Sequence, residues 1–203
     1  PTELNNGSLP FDIKNTLIKH NFFINNFSRY IDLSNKEIIV DEWGASSNGF
    51  YNIEECPKLI FRDDSHYAAY FGKMITDYIY KDIKVDAMLM CLSGQHEMKV
   101  DFSGFRNLFT LHHIAKPIYN AYIILSKVGD TLLESKTNNS DLSVLASKSN
   151  HDYQVLLSYA SEHFDKDLND LNDKLEINNI NGKYLVNIYL IDKNNTNPYQ
   201  LFI

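Results

Sequence analysis

The pattern of apolar and polar positions changes character once along the chain. From Phe11 to Ile31, Phe11, Leu17, Ile24 and Phe27 recur near helical spacing and predict a helix. Asn15, Asn21, Asn25 and Asn26 weaken its propensity. Lys36 to Trp43 contains Ile38-Ile39-Val40, an unbroken β-branched run typical of a strand buried on both faces of a parallel sheet. Gly44 to Arg62 reads as a loop, long enough to be a functional or mobile segment. Asp64 and Ser65 supply a helix N-cap, and Tyr67, Tyr70, Phe71, Met74 and Tyr78 then form one apolar stripe. Val85 to Leu92 is a second buried-type strand, and Gly94 to Phe109 is again loop-like. Lys116-Pro117 opens a further helix that Gly129 closes. Residues 11–129 thus read as αβαβα, which points to a parallel sheet or a piece of a barrel.

After Gly129 the segments shorten. Thr131–Glu134, Leu142–Lys148, Tyr153–Tyr159, Asp173–Ile177 and Lys183–Ile191 read as strands separated by Asn, Asp, Ser and Gly clusters. Short strands at regular spacing predict an antiparallel sandwich over residues 130–203, with the boundary at Gly129-Asp130.

Composition narrows the function classes. The 203 residues carry 19 Lys+Arg against 26 Asp+Glu, a formal charge of −7, which disfavours direct contact with nucleic acid. A hydrophobic share of 44% with 22% charged residues argues for a globular rather than a disordered chain. No apolar run approaches the roughly 20 residues of a membrane helix, and Pro1 to Asn6 lack the features of a signal peptide, so a cytoplasmic location is expected. Cys56 and Cys91 offer at most one disulfide. His112-His113 is a poor metal site because adjacent side chains diverge and no third ligand is suitably spaced, so neither metal nor cofactor is expected.

Candidate chemistry centres on Asp41-Glu42-Trp43-Gly44, which puts a carboxylate at the C-terminal end of a strand, the end that faces the active site in barrel enzymes. An aromatic beside it would make a sugar-binding wall. The same carboxylate could equally start a loop, and the pattern alone leaves both roles open. Arg106 sits in a loop on the mouth side, suited to an anionic or hydroxylated ligand and equally to a salt bridge.

The strand resembles the nucleophile strand of glycoside hydrolase family 39, the β-xylosidase and α-L-iduronidase family. Ser103-Gly104-Phe105-Arg106-Asn107-Leu108-Phe109-Thr110 is similar to that family's G-x-x-G-L-x-T loop. His113-Ile114-Ala115-Lys116-Pro117-Ile118-Tyr119-Asn120-Ala121 is similar to its entry to the final barrel helix. Tyr189-Leu190-Ile191-Asp192 with Asn197-Pro198-Tyr199 resembles the close of its sandwich. The resemblance implies the C-terminal portion of a (β/α)8 barrel over residues 1–129, followed by a β-sandwich over 130–203. It places Glu42 as the nucleophile of a retaining glycosidase; beside it, Trp43 as the neighbouring aromatic, Gln95 and His96 for their hydrogen-bonding capacity near the mouth, and Arg106 from its loop are the residues expected to bind the sugar. The acid/base carboxylate would lie in an Asn-Glu pair several strands earlier, so either a missing N-terminal part of the barrel or a partner chain is expected, and self-association stays open.

Met90-Cys91-Leu92-Ser93-Gly94 stands where the family commonly places a sugar-stacking Trp, and Gly44 stands where many relatives have Asn. Aromatic stacking contributes on the order of 1 kcal/mol, so its loss weakens sugar binding. Family-39-like regions also occur behind AraC-type helix-turn-helix domains. The resemblance therefore implies a sugar-sensing or assembly module with weak or no turnover in a regulator of that type. The alternative is part of an active retaining β-glycosidase.

Overall fold

The computed structural model describes residues 13–27, 29–30, 35–44, 51–90, 99–150, 152–163 and 168–203. Helix α1 (Ile13–Phe27) buries Ile13 and Leu17 and leaves Phe22, Phe23 and Phe27 in solvent. Strand β1 (Ile39–Trp43) is followed by a 3₁₀ helix at Pro57–Asp63, helix α2 (Ser65–Tyr80) and strand β2 (Ala87–Met90). β1 and β2 pair in parallel, with Ile39 opposite Ala87 and Val40 opposite Met88. α2 is the crossover between them, so this region is one β-α-β unit. Ile39 and Leu89 are each about half exposed. Among the described residues the pair is therefore not covered on both faces, as the unbroken apolar runs had suggested.

The 3₁₀ helix falls inside the stretch read as a loop. Of its apolar residues Leu59 and Phe61 are buried and Ile60 is part-buried, too short a run to register as a period, and Pro57 at its start fixes the entry. Asp64 then caps α2, its Oδ1 accepting the Ser65 N–H at 2.6 Å. The stripe from Tyr67 to Tyr78 is buried as expected, but so are Gly72, Lys73 and Thr76 on another side of the helix. That side faces the second sheet: a Cβ on Gly72 would lie 2.3 Å from Ser158 Oγ. The Lys73 ammonium reaches the carbonyls of Ser140 at 2.7 Å and Ala160 at 3.4 Å. Polar and small residues hid this face from a hydrophobic pattern.

Helix α3 (Pro117–Leu125) begins with Pro117 in its first turn and ends at a Ser126 cap. Gly129 does not terminate it. A Cβ there would sit 2.4 Å from the carbonyl carbon and oxygen of Lys148, so glycine is needed for close approach to the sheet. That sheet contains β3 (Thr131–Leu133), β4 (Leu142–Ser149) and β5 (Asp152–Tyr159), antiparallel in chain order. The sandwich is not seen among the described residues: Asp173–Ile177 and Lys183–Ile191 carry no ladder. Leu185, Val186 and Ile188 are 74–88% exposed. A short helix α4 (Pro198–Phe202) ends the chain, with Tyr199 and Phe202 packed on Phe102. Among the described residues no helix is long and apolar enough to cross a membrane.

Candidate functional site

The end of β1 is set by a slip in register. From Val40 to Trp43 β1 advances three residues while its partner advances only from Met88 to Met90. An extra residue in one strand breaks the alternation of sides, a device that re-aims side chains. Asp41 and Glu42 are both exposed in consequence, and Trp43 turns inward. The Trp43 indole is 6% exposed and stacks on Tyr67 with centroids 5.5 Å apart. Its Nε1–H donates to Met74 Sδ at 3.1 Å, and Phe71 closes a further side at 4.8 Å. Expected as a sugar wall, Trp43 is thus placed in the core against α2. Alternating side chains read from a sequence cannot show such a slip.

Glu42 stays half-exposed and forms an ion pair with the Arg106 guanidinium, Nη2 donating to Oε1. Arg106 is itself buried, so the pair joins a fixed cation to an open carboxylate. A charge-assisted contact of this kind orients the carboxylate as well as balancing it. Among the described residues the Arg106 Nε has no hydrogen-bond partner. The Arg106 stem crosses directly over Gly44: a Cβ there would lie 2.8 Å from its Cδ. Gly44 therefore leaves the space that the guanidinium needs to reach Glu42. Gln95 and His96, the remaining expected site residues, lie outside the described residues, as does Cys91.

Beneath this pair is a buried charge network that sequence reasoning missed. Asp63 and Lys116 form an ion pair at 2.6 Å with both side chains at most 2% exposed. Arg62 is fully buried and its Nη1 donates to the carbonyls of Tyr51 at 3.3 Å and Gly104 at 3.2 Å. Burial brings the Arg62 guanidinium down to about 10, and the neighbouring Arg106 cation adds to that fall. Burial also pulls the Lys116 ammonium down, opposed by the attraction of Asp63. In a sequence such charges look like a solvated surface. The available signal was position: Arg62-Asp63 stand directly before a helix cap, and Lys116 directly before the proline of α3.

The loop from residue 99 to 115 is closed by a clip of its own. Thr110 N–H donates to the Ile114 carbonyl at 3.0 Å, and Phe109 bridges Ala115. His112, weighed and dismissed as a metal ligand, pairs through Nδ1 with Asp101 Oδ2 at 2.7 Å. Burial would raise the Asp101 carboxyl, but hydrogen bonds from Thr110 and His112 outweigh it and hold the group at about 2.

These parts, an acid-ended parallel strand, its arginine and the loop that carries it, fall within a match to the family model for glycosyl hydrolases family 39 over residues 32–203. The chain belongs to glycosyl hydrolase family 39. No curated protein gives a significant match to it. Family-39 membership implies a partial (β/α)8-barrel-like region, and β1-α2-β2 is one unit of the kind such a barrel repeats. Among the described residues of this family-39 chain the helices and small sheets do not close a barrel.

Proposed function

We propose that this family-39 chain is a sugar-recognising module that binds a β-xyloside-class glycoside at Glu42 with little or no turnover. In this reading it serves as the ligand-sensing region of a cytoplasmic AraC-type regulator. The observation that carries the sugar site is the half-exposed Glu42 carboxylate held by the buried Arg106 guanidinium at the end of a parallel strand. Arg106 fixes one carboxylate oxygen, Glu42 offers the other to the ligand, and Gln95 and His96 add hydrogen bonds. Weak turnover is supported by the placement of Trp43, the one Trp of the chain: its indole stacks on Tyr67 of α2 and so does not serve as a sugar platform beside Glu42. DNA contact would fall to another part of such a regulator, since this chain carries a net charge of −7.

A second reading, a retaining β-glycosidase, is favoured by the same ion pair, because a fixed, charge-balanced carboxylate suits a nucleophile. Glu42 would attack the anomeric carbon and form a glycosyl-enzyme, with an acid from elsewhere protonating the leaving group. One assay separates the readings: nitrophenol release from a panel of aryl β-glycosides, beside direct titration with 4-nitrophenyl β-D-xyloside, for wild type and Glu42→Gln. Binding without release supports the sensor. Release abolished by Glu42→Gln supports the enzyme. Neither binding nor release, or either one unaffected by the substitution, removes Glu42 from the function.

A further inference from the structure

The backbone beside Arg106 is held by charges that the proposed sugar site does not use. Gly104 adopts a left-handed φ of +74°, and a Cβ there would meet the Leu59 carbonyl at 3.1 Å and Ile53 Cγ2 at 2.7 Å. Its N–H donates to Asp63 Oδ2 at 2.6 Å, and its carbonyl accepts from Arg62. The next carbonyl, Phe105, accepts from Lys116 Nζ at 2.5 Å, and Lys116 also reaches Asn107 Oδ1 at 3.4 Å. The Asp63–Lys116 pair thus grips the backbone just before Arg106 and the Asn107 side chain just after it.

Stability alone is a poor account of that arrangement. A well-packed apolar pair of similar volume generally does as well as a buried ion pair or better. What apolar side chains cannot do is bind the Gly104 N–H and the Phe105 carbonyl. We propose that Asp63 and Lys116 are positioning residues, which hold the Gly104–Asn107 backbone so that Arg106 meets Glu42. The proposal rests on the reading of Glu42 as the carboxylate that meets the sugar.

The test uses the full chain with Asp63→Leu and Lys116→Met combined, which removes both members of the ion pair together so that neither is left facing the other's vacancy, while Arg62 keeps the Tyr51 and Gly104 carbonyls. The readout is the ¹⁵N NMR signal of the Arg106 guanidinium, compared with wild type and with Glu42→Gln. The expected result is a folded protein in which Arg106 N–H groups exchange with solvent about fivefold faster, the same change expected of Glu42→Gln; that factor corresponds to roughly 1 kcal/mol of ion pairing. Binding of 4-nitrophenyl β-D-xyloside should weaken in parallel. A folded double variant with wild-type Arg106 exchange would overturn the proposal. If the double variant does not fold, Asp63→Asn keeps the shape and an acceptor for Gly104 while weakening the hold on Lys116. Faster Arg106 exchange in that variant supports the proposal, and unchanged exchange overturns it. Failure of the Glu42 reading would show separately, as wild type that binds no xyloside while Arg106 exchange still depends on Asp63 and Lys116.

Discussion

Replacing Gly44 by alanine should separate the geometry of the site from the stability of the fold. The added Cβ would lie 2.8 Å from Arg106 Cδ and 3.3 Å from its Nη1, too close for both to stay. Gly44 is not in the left-handed region, so alanine fits its backbone and gains about 0.4–1 kcal/mol by restricting the unfolded chain. Against this, moving the guanidinium forfeits an ion pair whose carboxylate is 53% exposed, a loss of about 0.2–1 kcal/mol. The two terms nearly cancel, and urea unfolding should place Gly44→Ala within about 1 kcal/mol of wild type. Binding responds differently, because Glu42 loses the contact that aims it. Titration with 4-nitrophenyl β-D-xyloside should show affinity down by about tenfold, equivalent to roughly 1.4 kcal/mol. In an Arg106→Gln background the same alanine should change nothing further, since the group it displaces is gone. A stability loss above about 2 kcal/mol with binding intact would refute the reasoning, as would fully additive losses in the double variant.

The remaining predictions test neighbouring parts of the argument. Gly129→Asn should destabilise by about 1–3 kcal/mol in urea unfolding, because any Cβ meets the Lys148 backbone; a helix-terminating glycine would tolerate Asn with little loss. Asp101, held at about 2 against an ordinary 3.8, contributes stability that is fully present above about 3.8 and lost as pH falls through about 2. The protection of the His112 amide, which donates to Asp101, should therefore fall across that window when its hydrogen exchange is taken relative to the intrinsic rate at each pH, and a flat protection profile would contradict the clip. The Tyr122 hydroxyl is buried without a hydrogen-bond partner among the described residues, and burial pushes it up to about 12. Tyr122→Phe should leave the melting temperature equal or raised, by up to about 1 kcal/mol in stability; a marked fall would reveal a partner for that hydroxyl.

How much of this could be read from the residues depended on whether an interaction had a periodic signature. The runs at Ile38-Ile39-Val40 and Val85–Leu92 announced a parallel pair, and the stripe from Tyr67 to Tyr78 announced α2, because a repeated apolar face leaves a trace in the sequence. Family-39 membership was legible from ordered motifs. The role of Gly129 was not, since a close approach and a helix end call for the same residue. Neither was the position of Trp43, which follows from a one-residue slip between strands far apart in sequence. The buried Arg62, Asp63 and Lys116 were hidden because their types are those of solvent-facing positions. Glu42 and Arg106 were each singled out, but their pairing joins residues 64 apart along the chain, beyond any local pattern.

α2 is shared property. One side supports Trp43 through Tyr67, Phe71 and Met74, while Gly72 and Lys73 seat the sheet of β3, β4 and β5. A truncation after Gly129, the natural place to cut by sequence, would therefore strip the cover from a helix inside the first segment. It would leave the Lys73 ammonium without the Ser140 and Ala160 carbonyls that receive it. The strand that carries Glu42 and the sheet beyond the boundary should then melt in one transition, and neither should survive excision of the other.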